Sequence, residues 1–578
     1  LSSYQETRAN KLNISLNLNQ KFDFLTEGLS LSALINFNNW SQNYYSRYLT
    51  PFLYSVDPAS ISEDIPGQYS LTKLQEGTKY ISQTGVTRNS DNTFYFDARL
   101  NYQRSFGKHN VSAMLMYMMR EYINSVLPQR NQGLSGRVTY DYANRYLAEF
   151  NFGYNGTERI EAGSRYEFFP AMSAGWVTSN EKFWSGISNV WNYLKVRASF
   201  GLVGSDETGL AAGAPHYLYL SDVNMYGGGQ FHSGYDGSFT KNGPIINAYP
   251  VQDAHWERAS EFDLGVDMRF FDQLNITVDW FKNKRDRILM RRASFPSVLG
   301  YQNAIPWANV GKVDNTGLEL SLNWTKTFQR DWTIDARFNY SYSRNKYVYV
   351  DEPDYPYIWQ TRTGKPLSST YGYVAEGLFR DEAEIKASPD QSLFGSTIMP
   401  GDIKYRDING DGSITSEDQI MLSPYGNMPR IQYGFGLSMQ WKNLDLSVFF
   451  NGSAKRTIMI SGVSPFCAND SNDNNLMQWI ADSHWSEGAD NTGVLYPRLG
   501  TLTTQVTNNT QPSSFWMRNG NFLRFKTLEL GYRFKWFRLY FSANNVAVWS
   551  KFKYWDPELS FNSYPLQRTF NIGLQFNL

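Results

Sequence analysis

Six oxygen-bearing residues between Asp407 and Asp418 are spaced for one kind of chemistry. Asp407, Asn409, Asp411, Ser413, Thr415 and Asp418 stand at positions 1, 3, 5, 7, 9 and 12, with Gly412 at position 6. A calcium ion takes roughly six to eight hard oxygens, and short Asp and Asn arms on a tight turn supply them. The spacing predicts a calcium loop in which Ser413 acts through its carbonyl and Thr415 through a water. Asp418 is a shorter arm than the Glu usual at that place, and no helical pair flanks the loop. The same Asp/Asn/Gly composition also builds a plain turn, so both readings stand.

A second chemistry is ligand contact by flat rings. Long segments carry Tyr44, Tyr45, Tyr48, Tyr226, Tyr235, Trp256, Tyr355, Tyr357, Trp359, Trp479 and Trp485. Such rings bury much area at low entropy cost and suit sugar faces or peptides. They equally suit loop packing or an aromatic girdle. Trp256 and Trp359 are the chosen substrate contacts, because Asp253, His255 and Gln360 beside them add directional hydrogen bonds. The histidines His109, His216, His232, His255 and His484 show no metal spacing. No nucleophile elbow is present. Gly364-Lys365-Pro366-Leu367-Ser368 lacks the glycine framework of a phosphate loop, and its proline blocks a helix. Asp381 with Glu384 reads as a solvated turn. No enzyme is expected.

These residues need a scaffold, and the chain's dominant pattern is period two. From Phe570 to Leu578 every second side chain is apolar. That is a strand with one greasy and one wet face. The pattern recurs over Lys11 to Asn19, Gly28 to Phe37, Thr93 to Gln103, Asn110 to Arg120, Gly133 to Tyr140 and Tyr146 to Tyr154. It continues over Met172 to Thr178, Leu194 to Val203, Glu261 to Phe270, Leu274 to Lys282, Gly317 to Trp324 and Trp332 to Tyr342. Ile431 to Gln440, Leu444 to Asn451, Leu523 to Phe534, Phe537 to Ala543 and Arg568 to Leu578 complete about 17 strands. Phe262, Leu264, Val266, Met268 and Phe270 share one face. Asp263, Asp267, Asn275, Thr277 and Asp279 share the other and would be costly toward lipid. The fold class expected is all-β: a large transmembrane antiparallel β-barrel over residues 1–578.

Composition agrees. Aromatic residues make up 16% of the 578, and the 54 basic residues balance 54 acidic ones. Zero net charge leaves no footprint for nucleic acid. A lone Cys467 excludes an internal disulfide and a Cys-based zinc cluster. No run reaches the length of a transmembrane helix, whereas barrel strands need only about 9–11 residues. Short turns alternate with long loops, about 40–92, 204–258, 345–430 and 452–519, which is the asymmetry of a barrel with two unlike rims. A sandwich or propeller with insertions is the bland alternative, and no blade period supports it. The start at Leu1 reads as the later part of a longer product or one that has lost a signal peptide. No mixed α/β plug domain precedes Lys11, so a plug is expected on another segment or chain.

Several stretches resemble the SusC/RagA-type TonB-dependent transporters of Bacteroidetes outer membranes. They are Arg165 to Trp176, Asn309 to Leu320, Pro400 to Gly412, and Asn521 to Tyr532 followed by Asp556-Pro557-Glu558. Glu167 stands where glycine is common. Leu578 ends the chain where an aromatic is common, with Phe576 two positions earlier. The resemblance implies a barrel of about 22 strands around a plug, powered by TonB. It also implies a SusD-like surface lipoprotein as lid, oligosaccharide or peptide cargo, and a two-copy assembly. A passive porin, an adhesin-like barrel and an outer-membrane enzyme are the other classes weighed.

Overall fold

A strand with one greasy and one wet face still has every backbone N–H and C=O to satisfy, and antiparallel neighbours do this. The computed structural model describes residues 3–56, 69–124, 127–206, 216–251, 253–295, 298, 305–328, 331–460, 477–500, 506–560 and 563–576. It divides into one unit of Leu1–Tyr140 with Phe150–Pro170 and a second of Asp141–Glu149 with Ala171–Leu578.

In the first unit, Tyr4–Lys21 pairs with Leu29–Tyr48, which pairs with Thr87–Phe106, which pairs with His109–Ile123, all antiparallel. Register puts Leu16 opposite Ile35 and Ile35 opposite Phe96, so one face is apolar across three strands. That face is the exposed one: Leu16 is 63% accessible. The turn between Phe106 and His109 takes two residues, and Gly107 accepts the positive φ of 61° it requires.

In the second unit the ladder follows chain order. Ala171 to Val177 pairs with Trp191–Ser205, then come Glu257–Phe270, Leu274–Arg291, Trp307–Phe328 and Trp332–Tyr349. Ile431–Trp441, Leu444–Ala454, Phe522–Arg533, Phe537–Ser550 and Thr569–Phe576 continue it. The pairs Leu264 with Trp280 and Val266 with Val278 confirm the apolar face expected from alternation. Phe435, Phe450 and Phe525 stack across three strands at 4.9 and 4.5 Å. Among the described residues no helix is long and apolar enough to cross a membrane.

Strands run longer than alternation alone shows. Gly317 to Trp324 lies inside the 22-residue strand Trp307–Phe328. Both ends of the expected 40–92 loop belong to the strands Leu29–Tyr48 and Thr87–Phe106. The added ends are polar on both faces, as in Asn43, Arg47, Arg88 and Asp91, so pairing continues where the amphipathic signal stops. The 204–258 segment contains two small hairpins, Asp222–Asn224 with Ile245–Ala248 and Gln230–Ser233 with Phe239–Asn242. Cys467, Asn577 and Leu578 lie outside the described residues.

Candidate functional site

On the polar face of the second unit, one rung joins Arg197, Gly265, Asp279 and Glu319 across four strands. Gly265 has no side chain, so Arg197 reaches across it; an added Cβ would sit 2.4 Å from the guanidinium carbon. The guanidinium contacts Asp263 at 3.1 Å, Asp267 at 3.2 Å and Asp279 at 2.5 Å. Three carboxylates around one cation call for water or other polar groups in the same space.

The long segments 345–430 and 452–519 fold, within their described residues, into a separate hydrophobic core. Tyr373, Ile403, Tyr405, Ile414, Ile480 and Trp516 pack together, with Phe552. Through this core runs a buried polar network. Gln391 donates to the Asn508 side chain at 2.8 Å and receives the Tyr405 N–H at 2.8 Å. The Tyr405 hydroxyl donates to the Asn508 carbonyl at 2.7 Å, and the Asn509 amide to Asp402 at 2.8 Å. Arg498 meets Asp402 at 2.6 Å, where the carboxylate is fully buried. Burial holds the Asp402 carboxyl above the usual carboxylate range, against the opposing pull of the Met399 N–H and Arg498. The network ties residues 391–405 to residues 498–509 and makes a platform of the two long segments.

The calcium-like loop is part of this platform. Its side chains order the turn through backbone donors: Asp407 accepts from Gly410 at 2.6 Å and Gly412 at 2.8 Å, and Asp411 accepts from Ser413 at 2.8 Å. Asn409 accepts from the Asp411 N–H at 3.1 Å. Thr415 caps the short turn Ser416–Asp418, and both Asp418 oxygens take backbone N–H groups, from Ile408 at 2.7 Å and Thr415 at 2.8 Å. Among the described residues no three His, Cys, Asp or Glu side chains gather in metal-holding geometry. The donors have the right chemistry for calcium, and Asp418 would have to share its oxygens between the backbone and the ion.

The chosen contact residues separate. Trp256, just before the strand that begins at Glu257, is 5% exposed, so its ring offers no open face. Beside it, the His255 backbone is pinned by Asn309, which accepts its N–H and donates to its carbonyl, both at 3.1 Å. Asp253 is exposed with a φ of 55°. Trp359 stacks on Tyr357 at 4.6 Å and donates its indole N–H to the Glu417 carbonyl at 2.7 Å, clamping the calcium-like loop. Trp479 packs on Tyr554 at 4.7 Å. Tyr226 and Tyr235 keep open rings, at 78% and 110% accessibility.

Two of the family-like stretches, Pro400 to Gly412 and Asn521 to Tyr532, act as connectors. Arg524 pairs with Asp556 at 2.6 Å and Glu558 at 2.5 Å, joining the Asn521 to Tyr532 stretch to Asp556-Pro557-Glu558. Gly401 leaves room for the Trp485 ring, which an added Cβ would meet at 2.4 Å. Reading residue types did not single out Gln391, Arg498, Asn508 or Asn509. No local period marks them, since their partners lie about a hundred residues away in sequence.

Residues 2–546 match the family described as "TonB dependent receptor-like, beta-barrel". TonB-dependent receptor P3 of Formosa agariphila is 25% identical over 93% of this chain and 58% of its own length. TonB-dependent receptor SusC of Bacteroides thetaiotaomicron is 25% identical over 76% of this chain and 43% of its own. The chain thus spans about half the length of the relatives it matches. Among solved structures, the RagAB peptide importer in its open-open state superposes with a TM-score of 0.72 at 18% identity, covering 100% of this chain and 62% of that one. At that identity the likeness establishes the fold.

Proposed function

The chain belongs to the TonB dependent receptor-like β-barrel family, and from that premise we propose that it forms the wall and loop platform of an energy-coupled nutrient importer. It is an outer-membrane protein of the SusC-like kind. The observation that carries the import reading is the pairing of an exposed apolar face with a loop core tied by a buried hydrogen-bond network. A passive pore needs the first alone; holding cargo under a lid needs both. The cargo is an oligosaccharide or a peptide. The lid is a SusD-like surface lipoprotein seated on the loop platform, in a two-copy assembly. The gating plug and the contact with TonB fall to segments other than these 578 residues. In this reading the 407–418 loop takes calcium when the ion is supplied, and the ion stiffens the platform.

Native extraction with intact-mass analysis of every co-purifying chain tests this. A plug-bearing polypeptide together with a surface lipoprotein is the expected result. A lone barrel that conducts small solutes through a planar bilayer points to a porin and overturns the proposal.

A further inference from the structure

The short-turn rim of the second unit can be followed by hydrogen bonds from one turn to the next. The Phe271 N–H donates to the Val190 carbonyl at 2.8 Å, Thr325 to Gln273 at 2.9 Å, Lys442 to Asp331 at 2.9 Å and Arg533 to Asn443 at 2.8 Å. Trp332 pairs with Trp441 at this rim and Tyr342 with Ile431 at the far end, where the 345–430 segment departs. Residues 271–273 and 442–443 suffice for two of the rim's connections. The connection 178–190, between Val177 and Trp191, is far longer.

That segment has a fixed inner side. Backbone bonds of Trp184 to Glu181 at 3.1 Å, Ile187 to Trp184 at 3.0 Å and Val190 to Ile187 at 3.0 Å wind it into consecutive turns. Trp184 is buried, donates its indole N–H to the Trp191 carbonyl at 2.7 Å and packs edge-on against the Trp191 ring, which stacks on Phe270. Asn180 donates to the Asn144 carbonyl at 2.6 Å. Glu181 takes the Trp176 indole N–H at 3.3 Å and faces Arg145 at 3.6 Å.

The outer side is apolar and open. Phe183, Ile187 and Val190 recur at four- and three-residue spacing and are 67%, 48% and 51% exposed, with exposed Phe271 next to Val190. Phe183 meets Trp176 edge-on at 6.5 Å. Trp176 shares a rung with Val196 and Val266, on the apolar face of the wall. The segment therefore carries that face onward past the ends of the strands. Between Glu181 and Trp191 the sole charge is Lys182, so the open side favours an anionic surface.

We propose that residues 181–191 are an interfacial foot that binds the phospholipid leaflet at the short-turn rim, which in barrels of this kind is the periplasmic one. Phe183, Ile187 and Val190 enter the boundary between acyl chains and headgroups, Lys182 meets lipid phosphate, and Trp184 with Trp191 holds the foot to the strands. The foot seats the wall at a set depth. The proposal rests on the membrane placement of the wall and is independent of the import reading.

Nitroxide-labelled single cysteines test it. Phe183→Cys, Ile187→Cys and Val190→Cys are made in the full-length protein with Cys467→Ser, and each is reconstituted in vesicles of phosphatidylethanolamine and phosphatidylglycerol. Electron paramagnetic resonance compares collisions with oxygen, which concentrates among acyl chains, and with a water-soluble nickel chelate. Leu264→Cys on the wall and Lys442→Cys at a turn tip are the lipid and water references. The expected result is an oxygen preference at all three foot positions, as at Leu264, and a chelate preference at Lys442. Ile187 and Val190 carry the test if Phe183→Cys fails to assemble. A chelate preference at the foot, with Leu264 still in lipid, overturns the foot and leaves the wall in place. Low access to both reagents means that another protein covers the segment, and overturns it as well. A chelate preference at Leu264 too would remove the wall from the membrane and the foot with it.

Discussion

The wall strands and the loop core of the second unit use the same residue types with opposite sense. In the wall, Leu264, Leu318, Leu437 and Leu530 are 39–43% exposed, while the Asp279 side chain on the other face is 18% exposed. In the loop core, Ile403, Ile414 and Ile480 are fully buried, and the buried Asp402 carboxylate is held by Arg498 and Asn509. A wall that turns leucines outward along several strands would aggregate in water. A core that hides isoleucines needs water outside it. The difference locates two solvents around one polypeptide: hydrocarbon against the wall, water against the loops.

The largest expected effect sharpens the contrast from the loop side. Arg498→Ala strands the buried Asp402 carboxylate and should destabilise the platform by about 3–5 kcal/mol, read by hydrogen exchange of amides in 373–405. Asp402 already sits above the usual carboxylate range through burial. A raised folded value means that this group's contribution to stability is present at low pH and lost as pH rises through that value. The Arg498→Ala penalty should therefore shrink on acidification. Exchange protection that is equally poor at pH 4 and pH 8 contradicts this.

Next in size is a charge placed on either face of the wall. Leu318→Arg should cost about 2–4 kcal/mol if it sits near mid-bilayer, whereas Ser438→Lys on the polar face should leave folding into lipid vesicles nearly unchanged. Urea titrations of the refolded protein give both values, and equal penalties would erase the distinction between the faces. Asn508→Ala leaves Gln391 and the Ile403 carbonyl short of partners inside the loop core; a loss of about 1–3 kcal/mol is expected. The smallest effect concerns the 407–418 loop. Calcium at ten times its Kd should stabilise chelator-treated protein by about 1.4 kcal/mol, and Asp407→Ala should abolish the gain. A melting curve indifferent to calcium removes the ion from the account.

The wall was legible in the sequence because a two-residue period is a local signal. Leu444 to Asn451 and Leu274 to Lys282 read as strands from their own side chains, and the structure extends each at its C-terminal end, to Ala454 and Arg291, where the alternation breaks. The loop core was not legible. Gln391 and Asn508 meet across 117 residues, and Asp402 and Arg498 across 96, with no period between them. Asp402, Arg524 and Asp556-Pro557-Glu558 were visible as family-like motifs, but their role as connectors needed coordinates. Trp256 and Trp359 were sound chemistry in an unknown place. A large ring gains more from packing than from waiting for a ligand; one of the two is buried and the other is stacked and hydrogen bonded.

The central claim is that the two faces of the wall strands meet different solvents. Single cysteines placed at Leu264, Leu318 and Leu437, and at Asp279, Glu319 and Asn339, in a Cys467→Ser background in native membranes, test it through labelling by a membrane-impermeant maleimide. The account predicts rapid labelling of the second set and none of the first until detergent is added. Labelling of the leucine positions as fast as the polar ones in intact membranes would contradict it.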